Sequence, residues 1–127
     1  MLDRATVTLH EPSRSSVITE AVVNAAEKLG LNKAETAKTL CVSPSTVTRY
    51  WDGDAEIRDG TSEFKLAVLL VRVFRSLDAV VGGDDASMRS WMTTVNTVLG
   101  DHPKTLVQDI EGLVHVGDYL DARRAPV

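Results

Sequence analysis

The sequence predicts an all-α protein, and three observations carry that expectation. Of the 127 residues, 43% are hydrophobic but only 5% aromatic. The core must then be aliphatic, whereas β-sandwiches draw on aromatics and on β-branched alternation. Apolar residues recur at three- and four-residue steps over 16–29 and again over 63–81, which gathers them on one side of a helix. Serine or asparagine opens the periodic stretches and glycine closes several of them, as helix caps require. A chain of this length suits one compact domain or two small ones sharing a core.

Residues 1–15, with Pro12, Ser13 and Ser15, read as a flexible N-terminal arm. The first helix is expected over 16–29, with Ile18, Val22, Ala25, Ala26 and Leu29 inward and Gly30 after its end. Asn32 opens a second helix, and Glu35 three residues on completes a capping-box pattern. Ser43 suits an N-cap and Pro44 a first helical residue, because the N–H that proline lacks has no partner there anyway. The third helix passes through Val47, Tyr50 and Trp51 and stops at Asp52-Gly53-Asp54. Ser62 is read as the cap of the longest helix, 63–81, which ends at Gly82-Gly83. Its apolar sides exceed what a bundle of this size needs, so a homodimer through this helix or its neighbouring hairpin is expected. A fifth helix is expected over 86–96, a short one over 103–111 and a last one over 113–124, with Gly112 as the joint. Trp91 is expected to pack between helices, Asn96 to make a turn and Pro103 to start a helix.

Residues 32–51 have the layout of a helix-turn-helix: a short helix with small Ala37 at its middle, a tight turn, then a capped helix with a polar outer side. Val42, Val47 and Tyr50 or Trp51 point inward. Ser43, Ser45, Thr46, Thr48 and Arg49 are left outward, the side-chain types that bond phosphates, and Arg49 can fork onto a guanine edge. The net charge is −4, and each half carries 7 Lys/Arg against 9 Asp/Glu. That excludes a generally basic nucleic-acid binder, so contact with operator DNA must come from a small local face doubled by dimerisation.

The run Leu40-Cys41-Val42-Ser43-Pro44-Ser45-Thr46-Val47-Thr48-Arg49 resembles the Xre/Cro-type helix-turn-helix family. Cys41 stands where that family usually has glycine; if the position takes a positive φ, cysteine costs of order 1 kcal/mol.

Residues 63–124 resemble the toxin-binding domain of the Xre/MbcA/ParS antitoxins. The resemblance rests on Arg72-Val73-Phe74-Arg75-Ser76-Leu77, then Trp91, Asn96, Leu99-Gly100 and Pro103. It continues through Glu111-Gly112 to Tyr119-Leu120-Asp121. Thr94-Val95 departs from a proline that often flanks the asparagine, and Asp101-His102 from a common Gly-Arg pair. The resemblance divides the chain into a helix-turn-helix bundle over 16–60 and a toxin-binding domain over 61–127. It implies an antitoxin whose partner is a RES-domain toxin, a class that attacks NAD. The residues expected to reach the toxin are Tyr119, Leu120, Asp121, Arg123, Arg124 and Val127, since an aromatic, an aliphatic and two arginines near a chain end can enter an anionic cleft.

No catalytic constellation is read. His10, His102 and His115 are scattered without metal-ligand spacing, and Asp84-Asp85 reads as a solvated turn. Cys41, between Leu40 and Val42, reads as a buried, inert thiol. Cofactors, metals, small-molecule substrates and enzymatic activity are therefore not expected. No apolar run reaches the roughly 18–20 residues of a membrane span, and the first residues lack a signal-peptide pattern. Together with the lone cysteine, this suggests a cytoplasmic protein. A stand-alone dimeric repressor, and an interaction domain with a vestigial DNA motif, remain the alternative readings.

Overall fold

The computed structural model describes residues 13–124. All regular elements among them are helices: α1 (Arg14–Leu29), α2 (Lys33–Leu40), α3 (Pro44–Asp52), α4 (Ser62–Val80), α5 (Asp85–Thr93), α6 (Pro103–Leu106) and α7 (Ile110–Arg124). A single isolated bridge pairs Asn96 with Asp101.

α1 begins two residues before the expected Ser16. Ser13 serves as the cap, its hydroxyl accepting the Ser16 N–H at 3.0 Å. Most of the expected arm, residues 1–12, lies outside the described residues, while Arg14 and Ser15 are helical. All five apolar positions assigned to the inner side of α1 are buried. At the other end Gly30 turns left-handed at φ 79°.

α4 is the central element. α1, α2 and α7 all pack on it, burying Phe64, Leu66, Ala67, Leu70, Val71, Val73 and Leu77. The apolar excess that suggested a partner for this helix is thus covered on three sides within the chain, and Val68 is its main exposed apolar residue before the last turn. Its cap is Thr61, whose hydroxyl accepts the Phe64 N–H at 3.2 Å, rather than Ser62. The connector before it is pinned to α1. The buried Thr19 hydroxyl accepts the Ile57 N–H at 2.8 Å and donates to the Ser15 carbonyl at 2.6 Å, and Ile57 is fully enclosed.

The last three helices differ from expectation at their ends, for local reasons. α5 stops at Thr93 because the Asn96 carboxamide makes a turn, accepting the Val98 and Leu99 N–H groups at 3.0 Å each. α6 has a single turn, and α7 starts at Ile110, so Gly112 lies in the first turn of α7 rather than between helices. Its role is close approach. A Cβ at Gly112 would lie 2.0 Å from the Leu106 carbonyl oxygen, so only glycine lets α7 start this close to α6.

Candidate functional site

Two surfaces bear the side chains singled out above. The first is the helix-turn-helix. The capping box of α2 is complete: Asn32 Oδ1 accepts the Glu35 N–H at 2.7 Å, and Glu35 Oε1 accepts the Asn32 N–H at 2.9 Å. Cys41 then reverses the chain at φ 57°, ψ 41°, the one non-glycine residue with positive φ among those described. In that conformation the Val42 N–H reaches the Ala37 carbonyl at 3.1 Å and the Cys41 N–H the Lys38 carbonyl at 3.3 Å, which satisfies the last carbonyls of α2. The thiol is exposed, contrary to the buried position read from its neighbours. A left-handed residue just past a helix end points its side chain out of the turn, while Leu40 and Val42 turn inward.

α3 presents the expected polar side. Val47 and Tyr50 are buried, and Trp51 is half-buried with its indole N–H on Glu27 at 3.3 Å. Burial pushes the Tyr50 hydroxyl pKa up, with a smaller contribution from Glu63. Ser43, Ser45 and Arg49 are exposed, Thr46 and Thr48 half-buried. The Ser43 hydroxyl accepts the Thr46 N–H at 3.2 Å and lies 3.1 and 2.8 Å from the Ser45 and Thr46 hydroxyls. Thr48 spends its proton on the Pro44 carbonyl at 3.2 Å, and Arg49 Nη2 on the Asp54 carbonyl at 3.3 Å. Three hydroxyls thus ring the positive end of a nine-residue helix, a setting that suits an anionic oxygen.

The second surface is the end of α7, where the six expected partner-facing residues separate. Tyr119 is half-buried and stacks on Trp91 of α5, with ring centroids 6.4 Å apart and an interplanar angle of 25°. The exposed Arg123 guanidinium covers the Tyr119 ring at 5.2 Å, a geometry that favours a cation over an aromatic ring. These residues form one continuous outward stack. Leu120 has no exposed area; with Leu113 and Val116 it belongs to the inner side of α7, which corrects its reading as a contact residue. Asp121 and Arg124 face α4 instead. Asp121 accepts from Arg72 Nε at 2.7 Å and from the Ser76 hydroxyl at 2.6 Å. Arg72 also reaches Asp118 at 3.1 Å, and Arg124 donates to the Ser76 oxygen at 3.2 Å. The Ser76 hydrogen bond, then Arg72, hold the Asp121 carboxyl below the usual range, and these carboxylates raise the Arg72 pKa. Val127 lies outside the described residues.

Sequence reasoning missed this network. Its signal was Ser76, a small polar residue that falls among the apolar, inward positions of α4 one turn after Arg72. His102 sits 3.0 Å from Asp101, and His115 is exposed. No cluster of three or more potential metal ligands occurs among the described residues, and none of their helices is long and apolar enough to cross a membrane.

The helix-turn-helix shares the long helix α4 with a second helical unit, which gives the chain a two-part, all-helical architecture. Family comparison makes this specific. The antitoxin Xre-like helix-turn-helix domain matches residues 8–72, and the antitoxin Xre/MbcA/ParS C-terminal toxin-binding domain matches residues 76–125. The chain belongs to the Xre/MbcA/ParS antitoxin family. Its fold is similar to a chain in the crystal structure of the M. tuberculosis MbcT–MbcA toxin–antitoxin complex, with a TM-score of 0.63 and 25% identity. That likeness covers 85% of this chain and 94% of the other. Among curated proteins no match is found.

Proposed function

We propose that this chain is the antitoxin of a type II toxin–antitoxin pair. Its partner is a RES-domain toxin that degrades NAD, which it neutralises by direct binding over the active-site entrance, and it represses its own operon through α3. The observation that carries the reading is the toxin-binding match over 76–125. The likeness to a chain from a solved toxin–antitoxin complex supports it. In this reading residues 16–60 supply the DNA surface and 61–127 the toxin surface, neither surface is catalytic, and the protein works in the cytoplasm. Tyr119 and Arg123 lead the toxin contact, because they are the outward members of α7's last turns and of types that dominate interface energetics. A guanidinium group also matches a cleft built for a dinucleotide's phosphates. Leu120 acts only by holding α7 in place.

Co-expression with the product of the adjacent gene tests the proposal. A stoichiometric complex that survives salt, and relief of the partner's toxicity, are expected. Absence of any complex refutes the antitoxin reading. A complex with a partner that leaves NAD intact refutes the RES assignment alone. Removing residues 125–127 and replacing Arg123 with alanine should weaken protection without disturbing the Asp121 network. Undiminished protection would show that the end of α7 does not cover the entrance.

A further inference from the structure

We propose that the groove between the end of α4 and the outer side of α5 is a docking site for the toxin, which sets an apolar side chain against the Trp91 ring and a hydrogen-bond acceptor on the Trp91 indole N–H. The groove is a shallow, open cavity of about 550 Å³ walled by Val81, Ala86, Ser90, Trp91 and Thr94. Residues 86, 90 and 94 recur at four-residue steps and are all exposed, so they form one stripe along α5. Ala86 and Ser90 are small enough to leave the flank of Trp91 uncovered. Met88 and Met92, on the opposite side of α5, fill the core. The helix is a firm support: Asp84 caps it, accepting the Ser87 N–H at 2.9 Å, and Lys28 of α1 reaches Asp85 at 3.3 Å. The two tryptophans of the chain differ in one respect. Trp51 spends its indole N–H on Glu27. Trp91 is half-buried too, but it is held through its ring, stacked on Tyr119, and its N–H meets no acceptor among the described residues. A half-buried indole with a free donor beside an apolar groove is the kind of group that dominates interface energetics.

The position of the groove names the occupant. All of its walls fall inside the toxin-binding match at 76–125 and none inside the helix-turn-helix match at 8–72. It is also continuous with the surface assigned to the toxin above. Trp91 stacks on Tyr119, and Arg123 covers the Tyr119 ring, so one surface runs from the end of α7 across two rings to Val81 at the end of α4. No charged side chain lines the groove, which suits an aliphatic or aromatic side chain and gives the phosphates of DNA nothing to hold. Arg123 at the far edge suits a carboxylate of the same partner. The inference rests on the antitoxin reading and extends its toxin surface from α7 to α5.

Fluorine NMR of the full chain labelled with fluorotryptophan, titrated with the purified product of the adjacent gene, tests it. The Trp91 resonance, assigned with Trp51→Phe, should shift as the complex forms, while the Trp51 resonance stays. In calorimetry Ser90→Arg, which sets a long charged side chain into the groove, should weaken the complex at least about tenfold. Trp91→Phe keeps the stack on Tyr119 but removes the donor, and should weaken it roughly three- to tenfold. Ser90 is exposed, so its variant keeps the fold, which circular dichroism checks. Absence of any wild-type complex overturns the antitoxin reading and the docking site with it. A wild-type complex whose Trp91 resonance does not move, or whose Kd is indifferent to Ser90→Arg or to Trp91→Phe, overturns the docking site and leaves the antitoxin reading standing.

Discussion

Replacing Cys41 with glycine should stabilise this protein, although it removes a side chain. The residue sits at φ 57°, ψ 41°, where an L side chain crowds the following carbonyl at a cost of roughly 1–2 kcal/mol. Glycine removes that crowding but releases more backbone entropy in the unfolded chain, about 0.5–1 kcal/mol. Little else is lost, because the thiol is exposed and its contact to the Lys38 carbonyl, at 3.8 Å, is weak. The net gain is about 0.5–1 kcal/mol, a rise of roughly 2–5 °C in Tm for a domain of this size. Cys41→Ala serves as the control, since alanine keeps a Cβ in the same conformation and should leave Tm nearly unchanged. Thermal or urea unfolding of the three proteins decides the matter. A glycine variant no more stable than wild type, or an alanine variant stabilised as much as the glycine one, would refute the strain argument.

Gly112→Ala should destabilise by about 2–4 kcal/mol in urea unfolding, because the added Cβ meets the Leu106 backbone and not a yielding side chain. Leu120→Ala should cost about 2–5 kcal/mol of stability as a core truncation. By contrast Tyr119→Ala with Arg123→Ala should chiefly weaken toxin binding in calorimetry, and the reverse pattern would undo the inward placement of Leu120. The Asp121 carboxyl is held low in the folded state, so its stabilisation is complete above the unfolded pKa of about 3.9. It is lost as pH falls through the lower folded value. The side chain is 38% exposed, so this is a surface-pair effect below about 1 kcal/mol. Asp121→Asn should lower neutral-pH stability slightly and flatten the acid limb of the pH–stability curve. Arg49→Ala and Thr46→Ala should each weaken binding to promoter DNA in gel shift, and unchanged binding by both would remove α3 from the DNA contact.

Local chemistry is what the sequence made readable. The Asn32–Glu35 box, the Ser43-Pro44 start and Gly30 fall where they were expected, because a cap involves partners within a few residues. The periodicity of α1 sorted its five apolar inward side chains correctly but did not show the buried Thr19. Errors arose where distant residues decide. Nothing near Asp121 announces Arg72, 49 positions away, so a carboxylate engaged in joining two helices was read as free to meet a partner. Leu120 was judged by its place near the chain end, while its spacing from Leu113 and Val116 already put it inside. Cys41 was judged by apolar neighbours, although a residue in a left-handed turn need not share their side. Trp91 and Tyr119 touch across the fold with no shared period to reveal it.

The two family matches stop and start at residues 72 and 76, within the unbroken α4. No hinge separates the halves there. Arg72 on one side and Ser76 on the other grip the same carboxylate, Asp121. A cut in α4 between them would therefore break a network that both halves share. On the proposed function, one cleavage would release the toxin and the promoter in the same event.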